Sequence, residues 1–304
     1  MTVIQELQKT IRKLLKKRNA ILLAHNYQRP EVQDVADLCG DSLELSMKAA
    51  KTDADVIVFC GVHFMAETAS ILCPNKKVIL PVEDAGCPMA DMISAAQLKK
   101  KKQNMPNAIV VSYVNTKAEV KAESDLCCTS ANVLNVVNSI NPSVPIFMTP
   151  DRNLAKYAKE FTGRNNLFYW NGYCPVHESL TVEQVQKIKS EHPDALFIAH
   201  PECKIEVLKL ADAIKSTSGM IKYTQESGHK KFIIGTETGI IHPLLKANPD
   251  KIFIPADPDM VCSDMKKINL FNIINALESL EPEVRVSDEI RKKAISAVER
   301  MLSI

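Results

Sequence analysis

The apolar residues of this chain fall into short continuous runs of strand length, which alternate with amphipathic stretches of helix length. Continuous apolar runs are typical of strands covered on both faces, as in parallel sheets. Their alternation with helical stretches indicates βα units. The runs predict strands at 20–24, 55–60, 77–81, 108–112, 144–149, 166–170, 195–199, 231–235 and 251–255, with helices around 42–51, 64–72, 130–138, 151–161, 204–213 and 239–247.

This pattern repeats with a fixed period. The runs 19–25, 107–113 and 194–200 are three versions of one strand, offset by 88 and 87 residues. Self-similarity at a fixed period means that one supersecondary unit is used repeatedly. The sequence therefore predicts the α/β class, with three homologous α/β/α repeats whose parallel sheets lie around a pseudo-threefold axis and an active site at the centre. The predicted domains are 1–104, 105–191 and 192–282.

Further helices are predicted between and outside the repeats. A linking helix follows each repeat, at about 90–102, 181–191 and 264–280. At the two ends, 3–18 has apolar residues at helical spacing, and 287–302 opens with a capping signal. Because both terminal helices are amphipathic, we expect them to pack together on the first repeat, the second as part of the stretch 283–304.

Charge and composition narrow the function classes. With 38 basic and 36 acidic residues, the formal charge is only +2, which argues against electrostatic attraction to nucleic acid. No apolar stretch approaches the length that spans a bilayer, and the N-terminus lacks the pattern of a signal peptide. We therefore expect a cytoplasmic protein without a membrane partner. In that compartment its nine cysteines should be free thiols or metal ligands.

Three of the cysteines follow the period of the repeats. Cys87, Cys174 and Cys262 are separated by 87 and 88 residues, and each lies in a loop after the last apolar run of its repeat. Threefold packing would bring these thiols together, and converging thiolates suit a soft metal centre. The absence of any C-x-x-C disfavours a zinc ribbon. A [4Fe–4S] cluster with three cysteine ligands fits better, and its fourth iron would be open to act as a Lewis acid.

The other six cysteines have plainer interpretations, because a cysteine after a strand is more often a packed apolar thiol. We expect that role for Cys60 and Cys73. Cys203 stays ambiguous. The remaining three precede the hydroxyl-bearing elements described below and could lie near the site: Cys39, Cys127 and Cys128.

Polar residues follow the first strand of each repeat. Ligands bind outside the carboxyl ends of parallel strands, so these residues should share one face with the thiols. His25 and His200 occupy equivalent positions, and Tyr113 lies between them in repeat order. With their neighbours they indicate an acid–base and carboxylate-binding cluster. The set is His25, Tyr27, Tyr113, Asn115, His200 and Glu202, with His63, Glu67, His177 and Glu237 as second-rank candidates near other strand ends.

A third group at the same period carries hydroxyls. Asp41-Ser42, Thr129-Ser130 and Thr217-Ser218 are each about 88 residues apart. They can simply be helix N-caps. The start of a helix at this edge of a sheet also binds phosphate or carboxylate, and one hydroxyl can do both. Thr217-Ser218-Gly219 is the best single anion-binding candidate.

Together these motifs resemble one known family, quinolinate synthase, in order from about residue 20 to 280. The resemblance implies three similar α/β/α domains around a pseudo-threefold axis and one [4Fe–4S] cluster in a central cavity. It also implies condensation of iminoaspartate with dihydroxyacetone phosphate to give quinolinate, phosphate and water on the de novo route to NAD. The motifs are Ala24-His25-Asn26-Tyr27-Gln28, Gly40-Asp41-Ser42, Gly61-Val62-His63-Phe64-Met65-Ala66-Glu67, Tyr113-Val114-Asn115, Gly172-Tyr173-Cys174-Pro175-Val176-His177, His200-Pro201-Glu202-Cys203, Ser216-Thr217-Ser218-Gly219 and Gly235-Thr236-Glu237-Thr238.

The resemblance also implies roles for individual residues. Tyr27 and Glu202 are implied in proton transfer, with His200 as an alternative base. Some members carry a C-x-x-C-x-x-C run at the third ligand, which here reads Val261-Cys262-Ser263-Asp264-Met265, so a thiol switch built on that run is absent. L-aspartate oxidase or aspartate dehydrogenase would supply iminoaspartate. The implied cluster ligands are Cys87, Cys174 and Cys262, and the implied substrate-binding residues are His25, Ser42, Tyr113, Asn115, Ser130, His200, Glu202 and Thr217.

Two alternatives stay open at this point. One is a [4Fe–4S] hydro-lyase acting on a hydroxy acid, which needs the same open iron but no triose-phosphate site. The other is a non-enzymatic iron–sulfur sensor, which has little need for the polar residues at three strand ends.

Overall fold

The computed structural model describes residues 2–304 and contains three four-stranded sheets. Every strand pairing is parallel, and the three sheets share one strand order, β2-β1-β3-β4, β6-β5-β7-β8 and β10-β9-β11-β12, once the strands are numbered along the chain. The predicted α/β fold with repeated units is therefore confirmed. The strands are β1 Ala20–His25, β2 Leu38–Gly40, β3 Val56–Cys60, β4 Lys77–Ile79, β5 Ile109–Tyr113, β6 Leu126–Cys128, β7 Ile146–Thr149, β8 Leu167–Tyr169, β9 Leu196–Ala199, β10 Ala213–Ile214, β11 Lys231–Gly235 and β12 Ile252–Pro255.

Helices cover the faces of the sheets and link them. Each sheet, with the helices between its strands, forms one unit. No helix within residues 2–304 has both the length and the apolar character needed to cross a membrane. The helices are α1 Val3–Lys17, α2 Pro30–Val35, α3 Ser42–Lys51, α4 His63–Leu72, α5 Ala95–Asn104, α6 Ala118–Lys121, α7 Val133–Ser139, α8 Arg152–Thr162, α9 Pro175–Ser179, α10 Val182–Glu191, α11 Ile205–Leu208, α12 Thr217–Glu226, α13 Ile241–Ala247, α14 Leu270–Ser279 and α15 Asp288–Ser303, with short 3₁₀ turns at Ala90–Met92 and Thr238–Ile240.

The apolar runs become strands because both of their faces are buried. In the first sheet, Leu22 and Leu23 of β1 and Ile57 and Val58 of β3 are fully buried, although successive side chains point to opposite faces. Burial of both faces explains why the sequence shows continuous runs instead of alternation. The nine predicted strands coincide with observed strands to within about two residues at each end.

The structure corrects the predictions at the sheet edges. Each sheet has a fourth strand that the sequence did not predict, namely β2, β6 and β10. The helix predicted at 204–213 is wrong beyond Leu208, since α11 ends there and β10 follows, and α12 was not predicted. These three strands, each at one edge of its sheet, are only two or three residues long and lie outside the longer apolar runs.

An aspartate locks each edge strand to its neighbour. Asp37 Oδ2 accepts the N–H of Leu22 at 2.8 Å, and Asp125 Oδ2 accepts the N–H of Val110 at 2.8 Å. In the third sheet, the N–H of Phe197 donates to Oδ2 of an equivalent aspartate, Asp212, at 2.7 Å. The three aspartates are 88 and 87 residues apart, so the period extends to the residues that begin each edge strand.

Both terminal helices contact the first unit, as expected, but each packs mainly at a different place, which corrects the expectation that they pack together. Helix α1 packs on α14, which follows the third sheet, and also on β1 and α2 of the first unit. Arg18 Nε donates to Leu277 O at 3.0 Å. Helix α15 lies against α4 of the first unit and also against α6 and β6 of the second. There the Asn132 side chain donates to Met301 O at 2.9 Å. The domain boundaries at 104/105 and 191/192 stay a prediction.

Candidate active site

One cavity lies at the carboxyl ends of the strands and receives side chains from all three units. It encloses about 650 Å³ of atom-free space, including its open mouth. The convergence that strand polarity predicted is therefore present, although the chemical roles of the residues stay predictions. Of the second-rank candidates, His177 and Glu237 line this cavity, whereas His63 and Glu67 do not. All twelve principal candidates line it: His25, Tyr27, Ser42, Cys87, Tyr113, Asn115, Ser130, Cys174, His200, Glu202, Thr217 and Cys262.

The turns after β1 and β9 present their side chains in the same way. The N–H of Tyr27 donates to His25 Nδ1 at 3.2 Å, and the N–H of Glu202 lies 3.4 Å from His200 Nδ1. Burial lowers the pKa of both imidazoles to about 3. Both rings are therefore neutral near neutral pH, and they orient the residue two positions later in the chain.

A continuous chain of hydrogen-bonding groups runs from Tyr27 to Glu202. The hydroxyl of Tyr27 lies 2.5 Å from Thr236 Oγ1, which lies 2.7 Å from His177 Nε2. On the other side of that ring, His177 Nδ1 lies 2.8 Å from Glu202 Oε2. The arrangement can move a proton between a phenol and a carboxylate without exposing either to solvent.

Two members of this chain were not ranked as principal site residues from the sequence. Thr236 follows β11, and His177 lies in α9, one turn after Cys174. The sequence feature that could identify them is their position, since Thr236 comes directly after a strand and His177 shortly after a cysteine. From the sequence, His177 is a second-rank candidate, and Thr236 belongs only to a motif of the resemblance.

Burial and neighbouring charged or polar groups set the protonation states of the two ends of this hydrogen-bonded chain. Burial works to raise the pKa of Glu202, but the facing His177 and His200 and the nearby Tyr113 hydroxyl lower it to about 2. Burial and the negative charge of Glu202 raise the pKa of both Tyr27 and Tyr113 well above 10. Glu202 is therefore ionised near neutral pH, beside two phenols that keep their protons and the neutral imidazoles of His25 and His200.

Two buried oxygens of the cavity lining have no partner within the protein. They are Oε1 of Glu202 and Oδ1 of Asn115. Buried polar atoms are nearly always hydrogen-bonded, so an unpaired acceptor at a cavity indicates a ligand or water that supplies the donor. Both atoms are acceptors, so the complementary group carries N–H or O–H.

The three period-related cysteines are free thiols of this same cavity. Burial raises the pKa of Cys87 to about 12, and it also raises the pKa of Cys174 and Cys262. Buried thiols of this kind become thiolates only when a cation compensates their charge. Three such thiols from three units fit a soft, cationic centre such as an iron–sulfur cluster.

A smaller donor set overlaps the thiol cluster. Cys174 Sγ, a ring nitrogen of His177 and a carboxylate oxygen of Glu202 lie within 4.8 Å of one another. His177 Nδ1 is 3.1 Å from the sulfur and 2.8 Å from the carboxylate, so the three groups also form a hydrogen-bonded trio. This set could hold a metal ion, and it joins the proton-transfer chain to one of the thiols.

Two of the three hydroxyl elements lie at helix starts, whereas Thr129-Ser130 precedes α7, which begins at Val133 with Asn132 at its cap position. Asp41 caps α3 and Ser216 caps α12, which leaves Ser42 and Thr217 as the first residues of their helices. Thr217 Oγ1 accepts a 2.9 Å hydrogen bond from the Asn26 side chain. Free N–H groups of a helix start favour an anion, so this part of the cavity suits phosphate or carboxylate.

Comparison with known proteins places the chain in a family. The family model described as Quinolinate synthetase A protein matches residues 9–303. Similar proteins named quinolinate synthase come from Geobacter sp. (strain M21), 54% identical over 99% of this chain and 98% of the relative, and from Desulforudis audaxviator, 52% identical over 100% of both. A third, from Methanosarcina barkeri, is 51% identical over 98% of both chains. The chain therefore belongs to the quinolinate synthetase A family and is an enzyme.

Proposed function

We propose that this enzyme condenses iminoaspartate with dihydroxyacetone phosphate to give quinolinate on the de novo route to NAD. The atoms balance when one phosphate and two waters leave. The proposal also assigns one [4Fe–4S] cluster per chain, held by Cys87, Cys174 and Cys262. The observation that supports it is that three free thiols line the same cavity as the hydrogen-bonded groups that run from Tyr27 to Glu202.

The residues present fit the proposed cluster in their chemistry, because three neutral buried thiols need a cationic centre to ionise. When bound, such a cluster supplies an open iron that acts as a Lewis acid. All other parts of the proposal concern the side chains of this chain.

Proton transfer is assigned to the ends of the hydrogen-bonded chain. Glu202 is ionised and has a free oxygen toward the cavity, so it can accept a proton from the carbon next to a carbonyl. Tyr27 keeps its proton, so its hydroxyl can donate to a developing oxyanion or hydroxide. Thr236 and His177 connect the two, which lets one end of the chain replenish the other.

Binding is assigned to the hydroxyls and amides around the cavity. The substrates carry two carboxylates and a phosphate, which suits helix starts at Ser42 and Thr217. Ser130, Asn115 and Tyr113 line the second unit's side of the cavity and can bind further oxygens. The neutral histidines His25 and His200 can bind a substrate without adding charge.

The proposal is tested by anaerobic preparation of the full chain, followed by iron and sulfide analysis and a product assay. About four irons and four sulfides per chain are expected, with pyridine-2,3-dicarboxylate formed from the two substrates. Changing any of Cys87, Cys174 or Cys262 to serine should abolish the cluster. Cys73→Ser is the matched control, because that buried thiol donates to Ala49 O at 3.1 Å and a hydroxyl can replace it.

Two results would contradict the proposal. A full cluster in Cys174→Ser would rule out the three-ligand assignment. Undiminished product formation after complete removal of iron would rule out the Lewis-acid role.

A further inference from the structure

A buried ion pair outside the proton-transfer chain joins the third cysteine loop to the turn that carries Tyr27. Glu237 is fully buried, and its Oε1 lies 2.8 Å from Lys266 Nζ. The same oxygen accepts the backbone N–H of Cys262 at 3.1 Å. Its other oxygen accepts the N–H of Gly239 at 2.7 Å. Both carboxylate oxygens are therefore used, one of them on the residue that carries the third thiol.

Lys266 extends this connection into the first unit. Its ammonium also donates to the backbone carbonyl of Tyr27, and its own carbonyl accepts the Arg29 side chain at 2.8 Å. The N–H of Lys266 bonds to the carbonyl of Cys262 at 3.3 Å, so one helical turn separates the lysine from the thiol residue. A single ammonium thus contacts the loop of Cys262, the end of β11 and the turn after β1.

The Lys266 ammonium fits in this place only because residue 239 is a glycine without a side chain. A Cβ atom at Gly239 would lie 2.6 Å from Lys266 Nζ and 2.8 Å from both Tyr27 O and Glu237 Oε2. Real Cβ atoms do not approach that closely, so any side chain here would displace the ion pair. Gly239 has an ordinary negative φ, so the reason for glycine is contact and not backbone conformation.

A buried pair of this kind contributes more to geometry than to net stability. Desolvation of both charges offsets much of their attraction, whereas removal of one partner leaves the other unpaired and is costly. The neighbouring Lys267 makes a contrast, because one of its two partners, Asp84, has a mostly exposed side chain. Exposed pairs of that type restrain little.

We propose that Glu237 and Lys266 form a positioning pair that fixes the Cys262 thiol and the Tyr27 side chain relative to each other. The pair acts through backbone contacts, although Glu237 also lines the cavity. The proposal rests on the proposed function for the importance of Cys262 and Tyr27. Its main test, however, uses the apo-protein and needs neither a cluster nor a substrate.

The first test measures how fast each thiol of the full-length apo-protein reacts with iodoacetamide, resolved by peptide mass spectrometry. In Lys266→Met, alkylation of Cys262 should be faster by about tenfold, the size expected when a hydrogen-bonded restraint is lost. Cys87 and Cys174, which make no contact with the pair, should react within about twofold of their original rates.

The matched control is Lys251→Met. Lys251 also donates to backbone carbonyls, those of Thr224 and Ser227, but it caps α12 and does not line the cavity. Its loss should lower the melting temperature without selective exposure of Cys262. A lysine with a merely structural role would behave in that way, so the comparison separates positioning from stability.

A second variant reaches the same pair without removing a charge. Gly239→Ala should displace the ammonium and give the same selective increase at Cys262, with Gly228→Ala as control, because a Cβ there meets nothing within 4 Å. Equal reactivity of Cys262 in wild type and in Gly239→Ala would overturn the proposal, even if Lys266→Met fails to fold.

The loaded enzyme gives an independent measurement. Lys266→Met should lose iron to a chelator faster by about tenfold and show lower kcat with little change in KM, because Tyr27 is displaced while the anion-binding hydroxyls are not. Unchanged thiol reactivity, or an equal increase at all three thiols, would overturn the positioning pair. Absence of a cluster or of quinolinate in the wild type would instead overturn the proposed function and leave the thiol result intact.

Discussion

The turns that follow β1 and β9 share one backbone conformation but carry opposite chemistry. In each turn a histidine side chain faces the N–H two residues later, and its carbonyl accepts an N–H three residues later, from Gln28 at 2.9 Å or from Cys203 at 3.0 Å. The residue so presented is a phenol in the first unit and a carboxylate in the third. Its pKa is raised for Tyr27 and lowered to about 2 for Glu202.

This difference shows what repetition provides and what it does not. The repeated unit supplies a buried, preorganised position at a strand end, and under the proposed function the identity of one side chain decides whether that position donates or accepts a proton. The second unit supports the same view, since its turn has Tyr113 where the others have histidine. Tyr27 and Glu202 therefore occupy equivalent positions in the structure, and the proposed roles make them complementary in chemistry.

Among substitutions in the two turns, the largest loss of turnover is expected at Glu202. Glu202→Gln keeps the size of the side chain but removes the base, so turnover should fall by about 10²–10⁴-fold with modest change in KM. Steady-state kinetics under anaerobic conditions, at matched iron content, measure this. Near-normal turnover with weakened binding would refute the base assignment and favour His200 or Tyr27.

A smaller loss is expected at the equivalent position of the first unit. Tyr27→Phe keeps the ring and removes the hydroxyl that contacts Thr236, so kcat should fall by about a hundredfold at unchanged KM. Tyr157→Phe, in α8 and outside the cavity, is the matched control and should retain full turnover. An equal loss in both variants would mean that the effect is structural.

The anion-binding assignment is tested at Thr217. Thr217→Val removes the hydroxyl that accepts from Asn26 and lines the cavity, so binding should weaken by about 1–3 kcal/mol. The effect should appear in KM, with kcat little changed. Thr162→Val, remote from the cavity, serves as control. A fall in kcat alone would instead assign Thr217 to proton transfer.

The smallest effect concerns the neutral histidine of the first turn. Burial lowers the pKa of His25 to about 3, with Glu202 raising it and Lys266 lowering it further. Below the unfolded value near 6.5, only the unfolded chain takes up this proton, so the free energy of unfolding falls as the pH falls. Between about pH 7.5 and about pH 5.5 the loss is about 1 kcal/mol.

His25→Gln should remove that contribution and flatten the pH dependence of apo-protein unfolding, measured in denaturant. The exposed His229→Gln should not change it. If the free energy of unfolding of His25→Gln depended on pH as strongly as that of the wild type, the imidazole would already be charged in the folded protein. The two turns would then differ more than their geometry suggests.

Strand positions and cavity residues could be predicted from the sequence because both follow from strong signals. Buried parallel strands leave continuous apolar runs, and strand polarity determines which polar residues meet. The edge strand β10 has only two residues and leaves no such signal. Thr236 and His177 could not be ranked either, because their importance comes from distances of 2.5–2.8 Å across units. The positions of α1 and α15 depend on contacts between remote parts of the chain.

The attachment of the chain ends has a consequence for local unfolding. Helix α1 joins the start of the chain to α14 after the third unit, and α15 lies between the first two units. Terminal helices open at lower free energy than central strands. Each helix should therefore expose the surface that it covers when it detaches. Detachment of α1 exposes the surface of α14, and detachment of α15 exposes the surface around β6. Hydrogen exchange should reveal two separate low-energy openings, one for each end of the chain, before global unfolding.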